Sequence, residues 1–200
     1  MFLKQLVLSR GGGALLLRSF LQQQPRFGSV RTFQDISIQA NHLPQKISKE
    51  DAIRLIRRIE PQFSENKFLE SCMPFIESVS KSMSGNRLEE LRELVCDDEI
   101  ERIARPLRVF TDHELQWLRI EPRDVLYKFI PEEYRADHEK KHIHINISIY
   151  GMHSRSIGRM NLLRKFYTAH FRFRKSYNHK EALPIIARIN YEKNFLTTVV

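Results

Sequence analysis

The sequence is poor in the residues that mark several structural classes. Two cysteines in 200 residues, Cys72 and Cys96, exclude a disulfide scaffold. Seven glycines and eight prolines are too few for a fibrous or low-complexity chain. The apolar runs stop well short of what a membrane-spanning helix needs, so an integral membrane protein is not expected. Chemical signatures are missing as well. Gly11 to Gly13 lacks the spacing of a phosphate loop, and there is no Gly-x-Ser-x-Gly elbow, no Cys-x-x-Cys and no His-Glu-x-x-His. What remains is 42% hydrophobic and 10% aromatic, enough for a real core.

Acidic residues are absent from the first 34 positions, and Asp35 is the first of them. The same stretch holds Lys4, Arg10, Arg18, Arg26 and Arg31, spaced among leucines and glutamines. A secretory signal needs an unbroken apolar centre, and Arg10 and Arg18 interrupt it here. The composition is that of a mitochondrial presequence, with cleavage expected between Arg26 and Gln34. The whole chain carries a net charge of +9, but the rest holds 28 basic and 24 acidic residues, a net of +4. More than half of the basic excess therefore reads as an address. We expect residues 1–34 to be the presequence, 35–63 a linker with a basic amphipathic helix, and 64–200 the folded domain.

Ser48 and Asp51 are placed to cap a helix that Pro61 ends. Ala52, Leu55, Ile56 and Ile59 share one face of it. Lys49, Arg54, Arg57 and Arg58 lie elsewhere, so the helix either packs on the domain or rests on an anionic membrane surface. A second helix starts at Ser64 and carries Phe68, Cys72, Phe75, Ile76, Val79 and Met83 on one face. Pro74 should kink or split it, and Gly85 and Asn86 end it. Leu88, Leu91, Leu94 and Val95 predict a third short helix, and Ile100, Ile103, Ala104 and Leu107 a fourth. Thr111 with Glu114 forms a capping box.

From Ile120 the period becomes two. Strands are expected at Val125–Ile130, Ile143–Tyr150, Tyr167–Arg174 and Ile185–Glu192, with breaks at 131–140, 151–164 and 176–183. On the last strand Ile185, Ala187, Ile189 and Tyr191 should share a face. Helices followed by strands give an α+β fold, with helices on one face of a curved antiparallel sheet of about four strands.

Sites are weighed against plain packing. His142, His144 and His170 point outward from neighbouring strands, but no cysteine or carboxylate completes a zinc set, so no metal is expected. Cys72 and Cys96 read as small core residues. Asp124, Tyr127 and His170 are the candidates for acid–base chemistry, with nothing to fix their geometry. The run Phe171-Arg172-Phe173-Arg174-Lys175, with Tyr177, interleaves aromatics and bases. Alternation sends the phenylalanines inward and the arginines outward, which does not make a stacking platform for nucleic acid. No enzyme activity, cofactor or nucleic-acid partner is expected.

The run Asn86-Arg87-Leu88-Glu89-Glu90-Leu91-Arg92-Glu93-Leu94-Val95, then Glu99-Ile100, the strand Ile143 to Tyr150 and the segment Pro184 to Lys193 carry a resemblance. Over about residues 64–196 the chain resembles the C-terminal domain of the import-motor anchor of the mitochondrial inner-membrane translocase. Within that group it is most similar to the branch of matrix AAA peptidase-interacting proteins. The resemblance implies a roll like nuclear transport factor 2 or cystatin, and a non-catalytic matrix adaptor or chaperone. It implies association with the inner-membrane matrix AAA protease and protection of a newly imported client, a calcium uniporter subunit. A large-subunit mitochondrial ribosomal protein and a peripheral subunit of the presequence translocase are the alternatives within the group.

Overall fold

The structure, a computed structural model, describes residues 44–157, 161–179, 183–192 and 198–199. The expected presequence and its cleavage region lie outside the described residues. The first short strand, β1 (Gln45–Ile47), leads into α1 (Lys49–Arg57). Ser48 caps that helix by accepting from the Asp51 amide at 3.1 Å and donating to its carboxylate at 2.8 Å. Ala52 and Ile56 are fully buried, so this helix packs on the domain.

Helix α2 (Glu65–Ser84) is capped by Ser64, which accepts from the Lys67 amide. The predicted core face is buried at Phe68, Cys72, Ile76, Val79 and Met83. Pro74 does not split the helix. It sits on the exposed side, where the carbonyl that the missing N–H leaves unbonded is open to solvent. The residue that turns the chain out of α2 is Asn86, at φ 52°. The third predicted helix is also corrected. Leu88–Leu91 forms one 3-10 turn, and Val95 then bridges to Ile186. The Leu94 carbonyl and Cys96 amide bond to Ile186 at 2.9 Å each, so that backbone is committed to the sheet and cannot continue a helix. Helix α3 (Asp97–Leu107) and the capping box opening α4 (Asp112–Leu115) form as expected. A 3-10 turn at Gln116–Leu118 follows α4.

The remaining strands are β2 (Val125–Phe129), β3 (Tyr134–Asp137), β4 (His142–Ile157), β5 (Asn161–Ser176), β6 (Ile185–Glu192) and β7 (Thr198–Val199). Among the described residues they join β1 in one open seven-stranded sheet whose strand pairs are antiparallel. The strand order is β1-β3-β4-β5-β6, with β2 also on β4 and β7 also on β5. The four expected strands pair as β2-β4-β5-β6, and three short ones extend them. The expected break at 151–164 does not exist as such, because β4 and β5 run as one long hairpin paired from His142↔Ser176 to Ile157↔Asn161.

Ile143, Ile145, Ile147 and Ile149 on β4 are fully buried, facing the same core as Ala169, Phe171 and Phe173 on β5. A slip of one residue would expose all four isoleucines, at about 1.5–3 kcal/mol each, which sets the register. Phe68 of α2 meets Phe173 edge-on at 6.0 Å. On β6 the pairing shifts between Arg172↔Arg188 and Phe173↔Ile186, so Ala187 is an extra, bulged residue. The bulge exchanges faces: Ile186 and Ile189 are buried while Ile185 and Ala187 are only half-buried, against the simple alternation.

The outer edge of β6 is covered by side chains as well as by residues 94–96. Glu99 accepts from the Ile189 amide at 2.7 Å, and Arg102 donates to the Ile189 carbonyl. Arg102 also holds Glu99 through Nε at 2.7 Å. An ion pair thus stands in for a neighbouring strand and blocks edge-to-edge pairing there.

Candidate functional site

With the inner face committed to the core, the other face of the sheet collects the polar and aromatic side chains. The register arranges them in cross-strand rows. Arg135, His144 and Arg174 form one row, and Asn146, Arg172 and Arg188 the next. Phe129, Ser148, His170 and Asn190 form the third, and Tyr127, Tyr150, Thr168 and Glu192 the fourth. One end of the face is basic and the other aromatic.

At the basic end Arg172 Nε donates to Asn146 Oδ1 at 3.0 Å. Arg135 pairs with Glu133 at 2.9 Å, which holds the Glu133 carboxyl below its ordinary range. Arg172 lies directly opposite Arg188. Burial first, then Arg135 and Arg188, push the Arg172 guanidinium below its ordinary pKa. Burial likewise drives His144 down to about 4, helped by Arg172 and Arg174, and lowers His142, helped by Arg174. Arg135 Nε and the Nδ1 atoms of His142 and His144 are buried with no hydrogen-bond partner among the described residues.

At the aromatic end Tyr127 stacks on Phe129 (5.5 Å, 27°) and Phe129 on Tyr150 (6.0 Å, 3°). Tyr127 is 62% exposed, Tyr150 41% and neighbouring Leu126 60%. Two exposed tyrosines stacked on the half-buried Phe129, with exposed Leu126 next to Tyr127 in the chain, are large side chains facing water of the kind that marks an interaction surface.

Compared with known proteins, the chain matches no family model and no curated protein. The site is therefore read from its own chemistry.

The structure distributes the predicted site residues unevenly. His142 and His144 share the basic end, but His170 lies on the third row, bonded to Ser148 at 2.9 Å and near Glu192 at 3.5 Å. No cluster of three metal-ligating side chains occurs among the described residues. Asp124, Tyr127 and His170 are not brought together. Asp124 instead meets His153 Nδ1 at 3.1 Å, while Tyr127 stands in the aromatic stack. Phe171 and Phe173 are buried and Arg172 and Arg174 lie on the outer face, as alternation requires. Lys175 turns inward to Glu60 at 2.8 Å. Cys72 is fully buried, which pushes its thiol up to about 12, and burial also raises Cys96.

The four membrane-surface candidates differ. Lys49 is held by Glu65 at 2.6 Å and Arg54 by Asp51 at 3.1 Å. Arg57 donates to the Phe63 carbonyl at 3.3 Å. Arg54, Arg57 and Arg58 are exposed, and Lys49 is half-buried.

His153 was not singled out by sequence. It is buried, with Nδ1 on Asp124 and Nε2 on the Trp117 carbonyl at 3.1 Å each. Asp124 and the Trp117 carbonyl lie against opposite nitrogens of the ring, so the two contacts together fix its orientation. Tyr167 stacks on it at 4.5 Å and 21°. Beside it lies a cavity of about 50 Å³, lined by Trp117, Lys165 and Tyr191 among others. This arrangement ties β4 to the segment before β2. Its only sequence signal was a histidine in phase with the buried isoleucines.

Proposed function

We propose that this chain is a non-catalytic adaptor of the mitochondrial matrix, working beside the inner-membrane matrix AAA protease. Its task is to hold and protect a newly imported inner-membrane client, a calcium uniporter subunit, on the way to the membrane. The observation that carries this reading is the Tyr127–Phe129–Tyr150 stack, exposed at both tyrosines, with exposed Leu126 next in the chain, a surface suited to a hydrophobic client segment. The acid-free N-terminal 34 residues support the location, and the resemblance supports the partners. The exposed Arg54, Arg57 and Arg58 favour a peripheral position at the anionic inner membrane. We further propose that the sheet bends into a roll of the nuclear-transport-factor-2 or cystatin kind.

A second reading within the same group is a protein of the mitochondrial large ribosomal subunit. The guanidinium rows beside exposed aromatics favour it, since both lie on one face. A peripheral subunit of the presequence translocase is the third. Affinity purification of the tagged protein from mitochondria separates the three. Recovery of the AAA protease and a client that Tyr127→Ser with Tyr150→Ser releases supports the adaptor. Recovery of large ribosomal subunits or of the translocase overturns it.

A further inference from the structure

We propose that the basic end of the outer sheet face binds a phosphate group, held by Arg135, Arg172 and Arg174 with His144 beside them. This goes beyond the adaptor reading and does not depend on it.

The register brings these residues together from three strands: β3 supplies Arg135, β4 His144, and β5 Arg172 and Arg174. Arg135 and Arg174 each oppose His144 from its two neighbouring strands, about 4.5–5.5 Å from it at Cα, and Arg172 lies two residues along β5, so the long side chains can converge on one small ligand over the imidazole. Glu133 is ion-paired with Arg135, Asp137 stands in the adjacent row, and Glu99, itself paired with Arg102, acts on Arg172 from further off. Arg172 is bonded to a neutral amide, and Arg174 makes no ion pair among the described residues. Three half-buried guanidiniums thus share one direct ion pair, and the group keeps a net positive charge.

Asn146 fixes Arg172 through Nε and is itself tied to the Glu133 carbonyl at 3.5 Å. A guanidinium clamped at Nε keeps its terminal nitrogens in a set plane, which is the preorganisation an oxyanion needs. Phosphate suits this group better than a carboxylate. Its charge near −2 offsets more of the excess, and its tetrahedral oxygens can accept from two adjacent rows at once. The neighbouring imidazole adds a gauge. His144 is faced by Arg174 and Arg135 from the two neighbouring strands, by Arg172 in the row on one side, and by Asp137 and His142 in the row on the other. An anion arriving among them must make His144 easier to protonate.

The phosphate can be free inorganic phosphate or the phosphate of a nucleotide whose base reaches the aromatic rows. The test titrates the full chain with inorganic phosphate, and separately with adenosine monophosphate, at constant ionic strength. The readouts are the His144 imidazole signal in NMR and the melting temperature. A saturable upward shift of the His144 titration, with a rise in melting temperature, is expected. Arg172→Gln and Arg174→Gln each weaken binding about tenfold or more, while exposed Arg105→Gln does not. Removing one of several like charges relieves repulsion, so these variants should fold at least as well as the parent. Tighter binding of the nucleotide, lost in Tyr150→Ser, identifies the nucleotide as the source, and equal binding identifies free phosphate. A response no larger than chloride screening gives, or equal effects of Arg172→Gln and Arg105→Gln, overturns the site. Binding confined to long single-stranded RNA, without response to either small probe, also overturns it.

Discussion

Gly151→Ala has an expected sign opposite to the usual one. Glycine inside a strand ordinarily weakens it, and alanine gains about 0.5–1 kcal/mol. At Gly151, however, a Cβ would stand 2.1 Å from Cζ of Tyr167, its cross-strand partner, and 2.2 Å from that hydroxyl. Carbon atoms rest at about 3.5–4.0 Å, so the ring must retreat by roughly 1.4 Å. Tyr167 is 7% exposed and stacked on His153 at 4.5 Å, and it cannot swing into water without leaving that stack. Overpacking costs about 1–3 kcal/mol and loss of the stack about 0.5–1.5 kcal/mol, which outweighs the alanine gain and leaves a net loss of about 1–4 kcal/mol. In a chain of this size each kcal/mol lowers the melting temperature by about 2–4 °C. Urea unfolding of the full chain, followed by circular dichroism, measures the loss. Tyr167→Ala in the same background removes the clash, and the two changes should couple by more than about 1 kcal/mol. A neutral or stabilising Gly151→Ala, or an additive cycle, refutes the close approach of ring and backbone.

Three further outcomes are expected. Lys141 sits at φ 54° in the β3–β4 turn, so Lys141→Gly should raise stability by about 0.5–1 kcal/mol in the same urea assay. Glu99→Ala removes the carboxylate paired with Arg102 and the acceptor of the Ile189 amide, and should cost about 3–5 kcal/mol, part of which Arg102→Met restores. His144 is held at about 4 when folded and titrates near 6.5 when unfolded, so the unfolded chain binds the extra proton between those values. Its contribution is present above pH 6.5 and is lost as the pH falls towards 4, about 1–3 kcal/mol after screening. Parallel unfolding curves of the parent and His144→Gln from pH 7 to pH 4 check this, and the variant should show the flatter dependence.

The parts legible in the sequence are those governed by short-range patterning. The caps at Ser48, Ser64 and Thr111 and the inward set Ile143 to Ile149 follow from neighbours within four residues. The misread parts depend on distant partners. Residues 151–164 read as a break until β4 and β5 are seen to pair through them, with Tyr167 lying over Gly151. Val95 reads as helical until Ile186 claims the flanking backbone. Ile185 and Ile186 exchange faces because a bulge at Ala187 adds one residue, which alternation alone cannot reveal. The Asp124–His153 pair joins residues 29 positions apart. The site was half legible: alternation placed Arg172 and Arg174 outward, but the aromatics that share their face come from β2 and the outer side of β4.

That shared face has an energetic logic. Like charges opposed across strands, as at Arg172 and Arg188, cost roughly 0.2–1 kcal/mol, and buried unbonded atoms such as Arg135 Nε cost about 1–3 kcal/mol. The four buried isoleucines of β4 alone are worth about 1.5–3 kcal/mol each, so the inner face carries the fold without help from the outer one. Nothing in the packing of α1, α2 or α3 requires four arginines on the far side of the sheet. An arrangement that weakens the fold and serves no packing role is accounted for if an anion completes it. Replacing Arg172 should then stabilise the free protein and weaken its ligand, a pairing of effects that a merely solvated sheet face would not produce.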